Sequence, residues 1–183
     1  TFMVISGMMM GFLAERPKVG PSNTARTLVG RGIFLLTVGH ALIVISCIPR
    51  LGLDAALTRG FITDVIGAAI IVGPWLIPRL GVAARALLAA ALYAAAIFVS
   101  WGWAPTAPAL DLLDYALGGP NIGDPRVNFP LLPWLALYML GSIVGSRLAA
   151  LLRAGRALRA ELELAAYGLV AVMVAIGIKA SFM

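Results

Sequence analysis

The chain has one histidine, His40, and it lies where ionisable groups are rare, within the apolar run Thr37-Val38-Gly39-His40. A titratable side chain in such surroundings is costly and normally faces a polar interior or a wet cavity. Two readings are open. His40 is a proton acceptor or ligand-orienting catalytic group, or it is a neutral imidazole bonded to a backbone carbonyl or a threonine, fixing helix packing. Catalysis needs a partner within hydrogen-bond reach. Asp64, in Phe61-Ile62-Thr63-Asp64, is a candidate partner and a candidate lining group of a substrate cavity. It is equally suited to be a carboxylate in the first turn of a helix, where the macrodipole favours negative charge. Arg26 and Arg31 are spaced to meet a phosphate, from a lipid headgroup or a soluble donor, or to act as orientation anchors. Arg153, Arg156 and Arg159 recur every three residues, which puts them on one helix face against solvent or headgroups.

The composition says what must position these groups. Of 183 residues, 61% are apolar and only 12% charged, too few charges to clothe a water-soluble surface of this size. The apolar residues come in long blocks, and a hydrocarbon core of about 30 Å takes roughly 20 helical residues to cross. The expected fold is all-α, a polytopic transmembrane helix bundle of about six spans forming one domain over 1–183. The charge balance is basic, 14 Lys plus Arg against 8 Asp plus Glu. The charges lie between apolar blocks, with no basic run interleaved with aromatics, so the expected partner is the bilayer and not nucleic acid. Cys47 stands alone, and no His/Cys cluster has metal-ligand spacing, so no metal is expected.

The spans are predicted at 1–14, 27–48, 61–77, 82–103, 129–152 and 164–178, with Pro49, Pro78 and Pro105 as stops for the second to fourth. The first is short for a crossing. The chain opens inside it, at Thr1, and we expect a piece of a longer protein. Ten of the cations fall in alternate linkers (Arg16, Lys18, Arg26, Arg31, Arg79, Arg85, Arg147, Arg153, Arg156, Arg159) and four on the other side (Arg50, Arg59, Arg126, Lys179). The positive-inside tendency puts the larger set in the cytoplasm. The acidic stretch 104–128, with Asp111, Asp114 and Asp124, is then an extracytoplasmic loop, and the protein belongs in a cytoplasmic (inner) membrane of bacterial type. On this topology Asp64 is one turn into its span, whereas His40 is two to three turns below the outer end of its own, so depth argues against direct contact. Gly7-Met8-Met9-Met10-Gly11 and Gly141-Ser142-Ile143-Val144-Gly145 are GxxxG patterns, which let helix backbones approach closely. Trp101, Trp103 and Trp134 fall near outer span ends, where aromatic rings favour the interface.

Two segments carry a resemblance. Phe2-Met3-Val4-Ile5-Ser6-Gly7, then Gly11-Phe12-Leu13, is similar to the F-x-x-x-S-G stretch of multi-pass membrane acyltransferases, succeeded there as here by an Arg-rich re-entry, Arg26 to Leu36. Phe129-Pro130-Leu131-Leu132-Pro133-Trp134 through Tyr138, with Gly141 and Gly145, resembles a later helix of those proteins. The group is that related to heparan-α-glucosaminide N-acetyltransferase, similar to acyltransferase family 3. The resemblance implies transfer of an acyl group, usually acetyl, from cytosolic acyl-CoA as co-substrate to an extracytoplasmic sugar-type acceptor. It implies cavity walls at Ser6, Trp134 and Tyr138. Arg26, Arg31 and Arg85 would then form a basic rim for CoA phosphates. The family histidine lies upstream of the F-x-x-x-S-G helix, outside this sequence, and His40 does not correspond to it. A non-catalytic accessory subunit of a larger membrane complex, with other membrane subunits as partners, is the alternative. A transporter would need more intramembrane polar groups than His40 and Asp64.

Overall fold

The computed structural model describes residues 2–15, 21–57, 60–102 and 131–181, and among them every regular element is helical. The acidic stretch 104–128, Trp103, Arg16, Lys18, Arg59 and Arg126 lie outside the described residues. We number the helices α1 (Phe2–Ala14), α2 (Pro21–Phe34), α3 (His40–Leu51), α4 (Leu53–Leu57), α5 (Ile62–Leu76), α6 (Val82–Gly102), α7 (Leu131–Arg153) and α8 (Ala157–Ser181). A π-helical turn, Leu35–Gly39, joins α2 to α3 without a break, and a 3₁₀ turn, Ile77–Arg79, extends α5. Three of the described helical rods are long and apolar enough to cross a membrane: 25–51, 62–79 and 131–153. Helices α1 and α6 are shorter apolar elements beside them.

Large apolar side chains point outward around the bundle, Phe98 and Leu87 among the most exposed. In water they would drive aggregation. In lipid they meet their own kind, so the polytopic bundle is the consistent architecture. The internal core is small: Met3, Met10, Val65, Ala69, Ile77, Ala89, Tyr138 and Met139.

The two GxxxG patterns find each other. A methyl group built on Gly7 would land on the Tyr138 carbonyl, and one on Gly11 on the Ser142 carbonyl. Methyls on Gly141 and Gly145 would strike the carbonyls of Val4 and Met8. Four missing side chains thus let the backbones of α1 and α7 touch. Contacts advance together along both helices (Val4 with Gly141, Met8 with Gly145), so the two run parallel. Helices α2 and α5 make a second, antiparallel close pair, with Gly32 against the Gly67 carbonyl and the Ile71 side chain.

Proline and glycine punctuate the chain differently from expectation. Pro49 does not stop the second span: it sits inside α3, which ends two residues later where Gly52 takes φ +79°. Without Pro49, Gly52 would still end the helix, since L side chains rarely adopt that backbone. Helix α2 begins at Pro21, well inside the stretch read as linker. Gly155, at φ +71°, separates α7 from α8, so Arg153 ends one helix, Arg156 lies between the two and Arg159 is in the next: the three do not share one helix face, although 157–163 does extend the last span as helix.

Salt bridges draw one set of helix ends together. Arg153 at the end of α7 pairs with Glu15 at the end of α1, and Arg147 of α7 with Glu163 near the start of α8. Arg85, in the first turn of α6, reaches Ser146 of α7. The described arginines of these turns therefore share one end of the bundle.

The glycine interlock yields a direct test. Gly145→Ala should destabilise the fold by about 1–3 kcal/mol, as overpacking of a close interface does. Gly30→Ala, where nothing lies within 4 Å of an added methyl, should be neutral or slightly stabilising. Thermal unfolding of the two variants in detergent, beside the parent, separates them.

Candidate functional site

Asp64 meets His40 despite the depth argument. His40 Nδ1 lies 2.9 Å from Asp64 Oδ1 and 3.0 Å from Oδ2. The two helical rods differ in length, so equal depth cannot be counted from their ends. The 25–51 rod has 27 residues, about 40 Å at 1.5 Å per residue, whereas the 62–79 rod has 18. The longer rod overruns the shorter, so a residue three turns from the end of α3 stands level with the first turn of α5. The π turn contributes as well. His40 N–H donates to the Leu35 carbonyl, five residues back, and the extra residue in that turn rotates α3 about its own axis. Such turns cluster at functional positions. The Thr37 hydroxyl donates to the Ile33 carbonyl inside the same stretch, 2.8 Å.

Asp64 also performs the structural role foreseen for it. It is the third residue of α5, and its Oδ2 accepts the Phe61 N–H at 3.0 Å, satisfying a donor the helix start leaves open. Its position is thus held by backbone as well as by histidine. Phe61 adds a third restraint, its ring edge-on to the imidazole at 5.6 Å between centroids. Phe61 is itself buried with Val44 and Ala56. Neither Phe61 nor the π turn was singled out from sequence; Phe61 could have been, because it is the residue immediately before the span that carries Asp64.

The arrangement has defined chemistry. A carboxylate only accepts, so Nδ1 carries a proton, and in the neutral imidazole Nε2 is then left with a lone pair. No described residue bonds Nε2. Asp64 is 8% exposed and the His40 side chain 27%, so the dyad is shielded but reachable. A histidine oriented through Nδ1 by a fixed carboxylate, with Nε2 open, is the geometry of a general base.

The other residues singled out from sequence do not gather around this dyad. Arg85 does not stand on a rim with Arg26 and Arg31. It is 4% exposed and reaches inward. Its Nη1 donates to the Ser142 carbonyl (3.1 Å), the Ser146 hydroxyl (2.9 Å) and, at 3.4 Å, the Ser142 hydroxyl. Ser146 in turn donates to the Gly11 carbonyl and Ser142 to the Met139 carbonyl. This ties α6 to the α1–α7 crossing. Ser142 and Ser146, four apart on the GxxxG helix, were the available signal. Tyr138, read as a cavity wall, is fully buried, its hydroxyl against Gly73 of α5. Trp134 is half-buried against the main core, and Ser6 half-buried on α1. Arg26 and Arg31 are exposed on α2. Arg26 lies 14 residues before His40, about 21 Å along the rod. No group of three or more potential metal-ligating side chains occurs among the described residues.

No protein family, no curated protein and no solved structure matches the chain.

The single histidine makes the dyad measurable without assignment. With ¹⁵N-histidine labelling of the full chain, the one imidazole should show a protonated Nδ1 and an unprotonated Nε2 at neutral pH. Asp64→Asn should abolish that preference. An Nε2-protonated tautomer in the parent protein would contradict the geometry.

Proposed function

We propose that the chain is the membrane part of an acyltransferase in which His40, oriented by Asp64, is the general base. The hydrogen bond between His40 Nδ1 and the Asp64 carboxylate carries this reading. In the proposed step, Nε2 takes a proton from an acceptor hydroxyl or amine. The acceptor heteroatom attacks the thioester carbonyl of acyl-CoA, and the tetrahedral intermediate expels the CoA thiolate. Acyl transfer, rather than another use of a base, is supported by the resemblance of 2–13, 26–36 and 129–145 to membrane acyltransferases. The acceptor class that resemblance implies is a sugar.

Placement of the donor rests on charge. With the arginine-rich end in the cytoplasm of a bacterial-type inner membrane, exposed Arg26 and Arg31 offer phosphate contacts there. The dyad lies toward the opposite end, so the donor would reach it on an extended arm along the rod. Arg85 is outside this scheme, its Nη1 being committed to α7.

A second reading, an accessory subunit without catalysis, draws on α8. That helix exposes Leu162, Leu169, Val170, Val172 and Met173, an apolar surface open to another subunit as well as to lipid.

Turnover decides between them. Purified full chain with acetyl-CoA and glucosamine should release free thiol, detected colorimetrically. His40→Gln should slow release by on the order of 10²-fold or more, the usual share of a general base. Asp64→Asn should also slow it, without weakening acetyl-CoA binding. A parent protein without turnover that co-purifies with a second membrane protein favours the accessory reading, and unchanged release in His40→Gln removes the base from the mechanism.

A further inference from the structure

Helix α8 touches the rest of the bundle mainly through its first turns. Ala160 is buried and Glu163 half-buried, but beyond Glu163 every side chain described is exposed. Between α7 and α8 a wedge of about 600 Å³ opens at the arginine-rich end. Leu140, Ile143, Val144 and Tyr167 line it, and Arg147 and Glu15 stand among its polar groups. The volume is within the range of small-molecule sites, and an apolar wedge between membrane helices must be filled by hydrocarbon.

The charges beside it say which hydrocarbon. Arg147 donates to Glu163 through Nε and Nη2, at 3.0 and 3.1 Å, and Arg159 donates to the same carboxylate at 3.1 Å. Those bonds hold the Glu163 carboxyl below its usual range. Arg153 pairs with Glu15 beside them. Three guanidiniums thus share two carboxylates, and the guanidinium side chains remain about half exposed. The cluster is short of one negative charge. Leu140 lies seven residues from Arg147, about 10 Å along α7, so a phosphate at the arginines would send its acyl chain down the apolar lining. Tyr167, one turn beyond Glu163 on α8, adds its ring to the apolar lining.

We propose that this wedge is a site for an anionic phospholipid, its phosphate against Arg147 and Arg159 and one acyl chain along Leu140, Ile143 and Val144. Basic pockets between transmembrane helices recognise anionic headgroups in this way. The lipid would brace α8 against α7. The proposal is independent of the acyltransferase reading, since the dyad is built from α3 and α5.

The full chain in detergent is offered dioleoylphosphatidylglycerol or dioleoylphosphatidylcholine, and retained lipid is counted by native mass spectrometry. Retention of the glycerol lipid should exceed that of the choline lipid on the order of tenfold, the scale of two arginines near a headgroup, and should raise the melting temperature more. Arg147→Gln with Arg159→Gln should erase the preference. Glu163→Gln, which frees both guanidiniums, should strengthen it, and this single change decides the matter should the double variant misfold. Equal retention of both lipids, a preference unmoved by Glu163→Gln, or a dimer that carries no phospholipid would overturn the proposal.

Discussion

The fold depends on two helices meeting without side chains between them. In lipid there is no hydrophobic reward for bringing one greasy helix to another, so association rests on close packing and on polar groups that satisfy each other. Gly7 and Gly11 of α1 and Gly141 and Gly145 of α7 provide the closeness. Ser142, Ser146 and Arg85 provide the polar part, linking α7 to the Gly11 carbonyl and to α6. The remaining helices are placed by reference to this crossing. Helix α5 lays Gly73 over Tyr138, and α2 closes on α5 through Gly32.

That scaffold gives the His40–Asp64 pair its surroundings. A histidine and a carboxylate embedded among apolar helices are expensive unless they satisfy each other. Here the carboxylate bonds the imidazole and caps its own helix with the same group. Removing Asp64 would take away the described partner of His40 Nδ1, and removing His40 would leave the carboxylate still capping α5, so the pair has a structural value whatever it catalyses. Its chemical value lies in the nitrogen left over.

Much of the architecture was legible in the sequence. Apolar block length is a coarse signal tied to bilayer thickness, and it anticipated most helix bounds within a few residues, although α2 and α8 begin at Pro21 and Ala157, well before the predicted 27 and 164. Both GxxxG patterns were visible, but composition made them look like chance; nothing local says that two such patterns 134 residues apart are partners. Depth was the weak point. Counting turns from span ends assumes that every helix crosses at the same length, and α3 overruns α5. A π turn has no sequence signature of the kind proline and glycine provide, so the rotation that serves His40 could not be foreseen. Arg85 was misplaced because linker arginines are usually anchors; the Ser142-x-x-x-Ser146 face that draws it inward lies 57 residues away.

The parallel contact of α1 with α7 is open to direct measurement in the membrane. On a Cys47→Ser background, Glu15→Cys paired with Arg153→Cys replaces the ion pair that joins the two helix ends. A short bifunctional maleimide should link these cysteines within one chain, giving a fast-migrating band. Phe2→Cys paired with Arg153→Cys, at opposite ends, should give none. Linkage of the second pair and not the first would mean that α1 and α7 run antiparallel, and the account of the bundle would fall.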